Sequence, residues 1–241
     1  MSSPDPTRFV LMHTSHPGNV GAAARAMKVM GFSDLVLVAP RHDDVLVRDE
    51  AVAMASAAAD ILRNARIVPT FVDALEGVNH VCATAMTPRD FGPPTCAPRA
   101  LFATLAPGRQ RVAFVFGGER FGMSNDDVYR CHAVLSIPTH PDYGSLNLAQ
   151  AVQLIAYEWR QALGGFDVMS RTPQASLADA VAVQGLLAHW ERALLEIGFL
   201  DPGAPKKLMP RLNQLFNRAQ LTPEEVDILR GVARAMSSKA R

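Results

Sequence analysis

The sequence predicts an α/β domain with a mostly parallel sheet, followed by an all-helical C-terminal extension. Up to about residue 163, short apolar runs alternate with alanine-rich helical stretches, which is typical of parallel strands covered by helices on both faces. The stretch GGFDVMSRTPQAS then interrupts this pattern with glycine, proline and serine, as a linker does. We therefore divide the chain into a domain at 1–164, a linker at 165–175 and a helical extension at 176–241.

Six apolar runs predict the strands of the sheet. They are RFVLMH at 8–13, DLVLVAP at 34–40, ARIVPTF at 65–71, HVCATAM at 80–86, RVAFVFG at 111–117 and AVLSIP at 133–138. In a parallel sheet the loops that follow the strands lie at one edge, where such sheets bind their ligands. We expect the functional site at this edge.

The helical extension is predicted from apolar spacing and from helix-start signals. Its apolar residues recur at roughly helical intervals and end at Gly198: Leu177, Val181, Leu187, Trp190, Leu194 and Ile197. Ser176 with Asp179, and Thr222 with Glu225, have the spacing of capping boxes. Pro223 takes the first helical position in the second of these.

Composition excludes several classes of protein. A net charge of +1 excludes a wholly basic nucleic-acid binder, and 49% hydrophobic residues in 241 are enough for a full core. The N-terminus, MSSPDPTRF, has no basic stretch leading into an apolar segment, and AVAMASAAA is too short to span a bilayer. We expect a cytoplasmic protein with no membrane contact. The three cysteines lack CxxC spacing, so neither disulfides nor a metal site is predicted.

Positive charge is concentrated in one part of the extension. The first 164 residues carry 14 basic and 15 acidic residues, whereas the remainder carries 10 and 8. Between Phe199 and Arg218 there are four basic residues, Lys206, Lys207, Arg211 and Arg218, and Asp201 is the one acid. Such a stretch forms either a solvated helix face or a surface that binds a polyanion, and charge alone favours the solvated face.

Three glycine-containing loops follow predicted strands and carry polar residues at their tips. They are HPGNVGAAAR at 16–25, FVFGGERFGMSNDDV at 114–128 and IPTHPDYGSLNLAQAV at 137–152. In the first, Gly18 and Gly21 are expected to form a tight turn that places Arg25 in the first turn of a helix. A cation there opposes the helix dipole unless it serves an anion or a partner. The dinucleotide pattern GxGxxG is absent, which disfavours a nucleotide-dependent oxidoreductase.

Together these loops resemble the three motifs of the SPOUT RNA 2'-O-ribose methyltransferases of the TrmH type. The stretches that carry the resemblance are HPGNVGAAARAMKVMGF, FVFGGERFGMSNDD and IPTHPDYGSLNLAQAVQLIAYE. The segment GFLDPGAPKKLMPRLNQLFNRAQLTPEEVDILRGV is similar to the helical extension of the TrmJ branch, which AVAMASAAADIL also fits. The resemblance implies S-adenosylmethionine as methyl donor and tRNA as substrate, at nucleotide 32 of the anticodon loop. It also implies a trefoil knot at the C-terminal end of the α/β domain.

The resemblance further assigns roles to individual residues. The implied catalytic residues are Asn19, Arg25, Glu119, Ser145 and Asn147. The implied cofactor-binding residues are Thr84, Ala85, Met86, Gly117, Ile137, Gly144, Ser145 and Leu146. The RNA-binding residues would be Arg25, Arg120, Lys206, Lys207, Arg211 and Arg218, and no metal is implied. Since a guanidinium is a poor base, we expect Arg25 to position the ribose and to stabilise developing charge.

The same resemblance implies a homodimer. We expect the apolar face of the helix after Asn147, formed by Ala151, Ile155 and Trp159, to supply part of the contact between subunits.

The chain departs from the TrmJ branch at two places. It has Gly117-Gly118-Glu119 where Gly-Arg-Glu is common, and Thr84-Ala85-Met86-Thr87 where Thr-Ser-Ala-Arg is frequent. Both changes bear on RNA contacts and nucleotide preference more than on donor binding. Two further interpretations remain open: a 2'-O-methyltransferase acting on ribosomal RNA, and an inactive knotted RNA-binding protein.

Overall fold

The computed structural model describes residues 5–86, 89–108, 110–169, 176–204 and 206–239. The chain divides into two compact units, Met1–Asp167 and Val168–Arg241. This division falls within the predicted linker at 165–175, of which residues 170–175 lie outside the described residues.

The first unit contains a seven-stranded sheet in which every pair of neighbouring strands is parallel. The strands are β1 (Arg8–Met12), β2 (Asp34–Val38), β3 (Arg66–Val68), β4 (His80–Thr84), β5 (Thr95–Cys96), β6 (Val112–Phe116) and β7 (Ala133–Leu135). Their order is β3-β2-β1-β6-β4-β7-β5. The predicted parallel sheet and its six strands are confirmed, whereas the two-residue strand β5 was not predicted.

Helices cover both faces of this sheet. They are α1 (Pro17–Val29), α2 (Asp49–Ala55), α3 (Ala59–Asn64), α4 (Phe71–Ala74), α5 (Pro98–Leu105), α6 (Asn125–Tyr129) and α7 (Leu148–Ala162). Successive residues of β1 point to opposite faces, so Phe9 joins the core beneath α1, α5 and α7, while Val10 joins the core beneath α4 and α6. The sheet is thus buried on both sides, which explains why its strands are continuous apolar runs.

Helix α1 begins earlier than the sequence predicts. Pro17 takes its first position, so Gly18 and Gly21 lie inside the helix and form no turn before it. A Cβ on Gly21 would overlap the carbonyl oxygen of Ala51, so the missing side chain allows α1 to pack closely against α2. Arg25 is exposed in the third turn, and its predicted position in the first turn is wrong.

Helix α7 packs its apolar face into its own subunit. Ile155 and Trp159 are buried in the core beside α1 and α5, and the Trp159 indole N–H donates to Thr7 Oγ1 at 2.8 Å. Ala151 is partly buried against the same core. The prediction that these side chains contact a second subunit is therefore wrong for Ile155 and Trp159.

The second unit consists of α8 (Ala180–Glu196), α9 (Leu208–Ala219) and α10 (Pro223–Lys239). Its core includes Phe216, which meets Trp190 edge-on with ring centroids 5.5 Å apart. The capping box of α10 is confirmed, because the Thr222 N–H donates to Glu225 at 2.7 Å and the Glu225 N–H donates back to the Thr222 hydroxyl.

The predicted start of α8 is corrected by the structure. The cap is Asp179, which accepts the Ala182 N–H at 2.6 Å, so Ser176 lies before the helix and does not cap it.

Candidate active site

The carboxyl ends of β1, β4, β6 and β7 surround a cavity of about 640 Å³. Most of the residues predicted for the site line this cavity: Asn19, Glu119, Ser145 and Asn147, together with Thr84, Ala85, Met86, Gly117, Ile137, Gly144 and Leu146. Arg25 and Arg120 are exposed and do not line it. Loops far apart in the chain thus meet at the edge where the sequence places the site.

Glu119, directly after β6, holds the beginning of α1. Its carboxylate accepts hydrogen bonds from the Thr14 hydroxyl (3.1 Å), the Ser15 N–H and hydroxyl (2.9 and 3.0 Å), the His16 N–H (3.3 Å) and the Asn19 amide (2.8 Å). Burial alone would raise the pKa of Glu119, but the hydrogen bonds from Asn19 and from the Ser15 N–H and hydroxyl outweigh it and lower the pKa to about 2. Glu119 is therefore a fixed anion that orders the loop after β1.

Asn19 connects this loop to the third motif. Its Nδ2 donates to Glu119, and its Oδ1 accepts from Asn147 Nδ2 at 2.9 Å. The Asn147 Oδ1 in turn accepts the N–H groups of Ala149 and Gln150 as the cap of α7. Because each amide uses both its oxygen and its nitrogen, the orientation of the two side chains is determined.

Close backbone packing shapes the rest of the cavity. A Cβ on Gly117 would overlap the backbone of Gly122, and one on Gly144 would lie 2.7 Å from Thr139 Oγ1 and 2.8 Å from Met86 Sδ. Any larger residue at Gly117 or Gly144 would therefore fill the cavity or displace its wall. Such a lining of backbone and apolar side chains suits a nucleoside-sized ligand.

Several lining residues were not singled out from the sequence. They include His16, Arg89, Met123, Thr139 and Tyr143. The sequence does contain a signal that could assign His16 to the site, because this residue opens the first motif in the loop after a strand. Thr14 and Ser15 carried none, since their contact with Glu119 joins positions more than 100 residues apart.

Gly118 stands where the TrmJ branch commonly has arginine. A Cβ here would lie 2.9 Å from the carbonyl oxygen of His13 and 3.2 Å from that of Met12. Both neighbours are backbone atoms, so a larger residue would require the loop after β6 to shift. The glycine therefore fits its present surroundings, and the cation nearest along the chain is Arg120.

The second unit presents a basic helix face. Lys207 immediately precedes α9. Arg211 and Arg218 lie within the helix, 4 and 11 residues after Lys207, so the three side chains lie on one side of it. All three are exposed, as is Lys206, and α9 contains no acidic residue. Phe216 is buried on the opposite side. The four predicted RNA-binding bases are thus accessible to a polyanion.

Metal ligands and membrane spans can be assessed over the described part of the chain. Among those residues, no three His, Cys, Asp or Glu side chains lie close enough together to hold a metal ion. None of the helices within them has the length and hydropathy that crossing a membrane requires.

Comparisons with known proteins cover both units. The SpoU rRNA methylase family matches residues 6–157, and the C-terminal domain of tRNA methyltransferase TrmJ matches residues 181–241. The tRNA (cytidine/uridine/adenosine-2'-O-)-methyltransferase TrmJ of Pseudomonas aeruginosa is 41% identical, over 98% of this chain and 96% of its own. The tRNA (cytidine/uridine-2'-O-)-methyltransferase TrmJ of Pectobacterium atrosepticum is 40% identical, over 95% of both. The crystal structure of TrmJ from Z. mobilis ZM4 matches with a TM-score of 0.82 and 30% identity, over 96% of this chain and 99% of that one.

Proposed function

Because the chain belongs to the SpoU rRNA methylase family, and within it to the TrmJ methyltransferases, we infer that it methylates a ribose 2'-hydroxyl of tRNA. The observation that carries this inference is that the similarity spans both units at about 40% identity. The site agrees with it, because the loops that bear the motifs meet around one cavity and are joined by the hydrogen bonds of Asn19.

We propose S-adenosylmethionine as the methyl donor. When bound, it supplies a methyl group on a positively charged sulfur, which is electrophilic and has a good leaving group. The residues that would hold it are Thr84, Ala85, Met86, Gly117, Ile137, Gly144, Ser145 and Leu146, all of which line the cavity. The fit is supported by the space that Gly144 leaves beside Met86 and Thr139, which a Cβ would fill.

The polar side chains of the cavity would orient the acceptor ribose. Asn19 and Asn147 are already fixed by hydrogen bonds, so they present a defined edge at no further cost in side-chain entropy. Ser145 is exposed beside them. Arg25 lies outside the cavity, so of its two expected roles, in catalysis and in RNA binding, we retain contacts with the RNA backbone. We assign the same role to Arg120, which also lies outside the cavity.

We propose that the basic face of α9 captures tRNA and that the methylated nucleotide is number 32. Lys206, Lys207, Arg211 and Arg218 are exposed, and the last three lie on one side of α9, where they can contact phosphates. Gly118 in place of arginine removes one cation from the loop after β6, so we expect the base preference to depend on this loop.

Three finer properties are part of the same proposal. The chain would form a trefoil knot, as the family resemblance implies, and the position of β7 between the earlier strands β4 and β5 is compatible with one. It would act as a homodimer, using exposed α7 side chains such as Leu154 and Tyr157 in place of the buried Ile155 and Trp159. We expect it in the cytoplasm, where tRNA is modified.

Labelled S-adenosylmethionine with total RNA, followed by mapping of the modified nucleotide, tests the proposal. We expect label in tRNA, at the 2'-oxygen of nucleotide 32. Label in ribosomal RNA alone would favour the ribosomal alternative, and binding of tRNA without label would favour an inactive RNA-binding protein. A chain ending near Gly164 should retain S-adenosylhomocysteine binding and lose tRNA, because it keeps all three motifs and lacks α9.

A further inference from the structure

We propose that the His16 side chain accepts the proton that leaves the ribose hydroxyl during methyl transfer. The inference rests on the proposed function, since it assigns one step of that reaction. Asn19, Ser145 and Asn147 can orient a hydroxyl, but amide and hydroxyl groups do not take up a proton at neutral pH. The reaction therefore needs a base that these three side chains do not provide.

The position of His16 suits this role. It immediately precedes α1, where its backbone N–H donates to Glu119 and its carbonyl accepts the Asn19 N–H at 3.0 Å. The side chain makes no capping hydrogen bond to the helix, is exposed and lines the same cavity as Asn19 and Asn147. The backbone of His16 is thus fixed, while its imidazole remains accessible to a substrate.

The other titratable side chains that line the cavity within the described residues are poorly suited. Glu119 is a weak base, because the hydrogen bonds from Asn19 and Ser15 hold its pKa at about 2. Arg89 carries a guanidinium, which has no acceptor site, and Tyr143 carries a phenol, a group that keeps its proton near neutral pH. An imidazole changes its charge between pH 5 and 8 and can therefore accept and release a proton there.

Charged groups from three elements lie around the first turn of α1 and the cavity that His16 lines. Glu119 comes from the loop after β6, Glu50 lies over Gly18 from α2, and Arg89 lines the cavity after β4. Because the ring is exposed, water can remove the proton after each turnover.

Atoms and electrons balance in this step. The ribose 2'-oxygen forms a bond to the methyl carbon as the carbon–sulfur bond breaks, and the electron pair of that bond stays on sulfur. The hydroxyl proton passes to an imidazole nitrogen of His16 and from there to solvent. The products are a 2'-O-methyl ribose, S-adenosylhomocysteine and one released proton.

The test compares His16→Asn and His16→Gln with His13→Asn in the full-length protein. His13 is an exposed histidine three residues earlier, outside the cavity, and its positive φ of 51° is one that asparagine tolerates. We expect single-turnover methyl transfer to fall by about 100-fold or more in the His16 variants. The decline in the wild-type rate below neutral pH should be absent from the His16 variants. Their affinity for S-adenosylhomocysteine, measured by calorimetry, and their affinity for tRNA should be unchanged. His13→Asn should retain the wild-type rate.

Wild-type rate and pH dependence in His16→Asn would overturn this inference and leave the proposed function intact. The wild-type protein provides a second measurement that does not require a folded variant. If its single-turnover rate on tRNA were the same from pH 5.5 to 8, His16 would not be the acceptor. If the wild-type protein transferred no methyl group to any ribose, the proposed function would fail and this inference with it.

Discussion

The cavity of the first unit and the basic face of the second hold their polar groups in opposite ways. Around the cavity, Glu119, Asn19 and Asn147 bind one another through hydrogen bonds of 2.8 and 2.9 Å. On α9, within the described residues, the side chains of Lys207, Arg211 and Arg218 have no hydrogen bond or ion pair with the rest of the chain. One region is ordered by its own hydrogen bonds, and the other presents its charges to solvent.

The difference indicates two kinds of recognition. Fixed amides and a fixed carboxylate hold a ligand in one geometry. A reaction at a single oxygen atom requires such a defined geometry. Mobile cations impose little geometry, but they bind phosphates over a long range and in many arrangements. We therefore expect changes in the first region to affect the rate of methyl transfer and changes in the second to affect tRNA affinity.

The largest effect is expected at the centre of the ordered region. Asn19→Ala removes the link between Glu119 and Asn147, so methyl transfer should fall by about 100-fold or more, as for loss of a positioned donor. Single-turnover kinetics would measure the rate, and filter binding should show unchanged tRNA affinity. Asn64→Ala, an exposed position at the end of α3, is the control. If Asn19→Ala lost as much tRNA affinity as rate, the two regions would not divide rate and tRNA affinity between them.

The next effect is expected on the basic face. Replacing Lys207, Arg211 and Arg218 with Ala should reduce the slope of log K for tRNA against log salt by about 0.9 for each phosphate that is no longer neutralised. The rate at saturating tRNA should remain. The control removes the same charge elsewhere in the unit, as Arg192→Ala, Arg234→Ala and Lys239→Ala, all exposed. Equal slopes for the two triple variants would show that net charge, and not this face, binds tRNA.

Two glycines contrast the packing of the units. Gly21→Ala places a methyl group against the Ala51 carbonyl and should lower the free energy of unfolding by about 1–3 kcal/mol. Gly231→Ala, in α10 with no atom within 4 Å of the new Cβ, should raise it by about 0.5–1 kcal/mol. Urea unfolding of each full-length variant would measure both. A stabilising Gly21→Ala would contradict the close contact of α1 with α2.

The smallest effect concerns acid. The folded-state pKa of Glu119, about 2, lies below its ordinary value of 4.5, so its contribution to stability is present above 4.5 and is lost as the pH falls from 4.5 toward 2. The free energy of unfolding should therefore fall less between pH 6 and 4 in Glu119→Gln than in the wild-type protein, when urea unfolding is measured at both. An equal fall would show that the carboxylate is not held as described.

Much of the fold could be predicted, because strands buried on both faces are continuous apolar runs. β5 could not, since Thr95 and Cys96 form a strand only through pairing with β7, about 40 residues later. The glycines of HPGNVG predict a turn and therefore a late start for α1, whereas Pro17, itself a helix-start signal, takes the first helical position. A late start would place Arg25 in the first turn of α1, beside the site, whereas Arg25 lies in the third turn of the helix.

The sequence predicts individual residues for the site but not the hydrogen-bond network that joins them. Asn19, Glu119 and Asn147 each follow a strand, so the sequence places them at one edge of the sheet. Their partners depend on loop geometry, which joins positions 100 and 128 residues apart. Local sequence patterns do not determine such contacts, so the hydrogen bonds between Glu119 and Ser15 are known only from the structure.

The two outermost strands of the sheet are both short. β3 has three residues and β5 has two, so each exposes few unpaired backbone groups along its outer side. A strand from another molecule needs a longer row of such groups to extend a sheet, and short edges therefore discourage fibrous aggregation. We therefore expect a concentrated solution of this protein to remain free of β-rich aggregates.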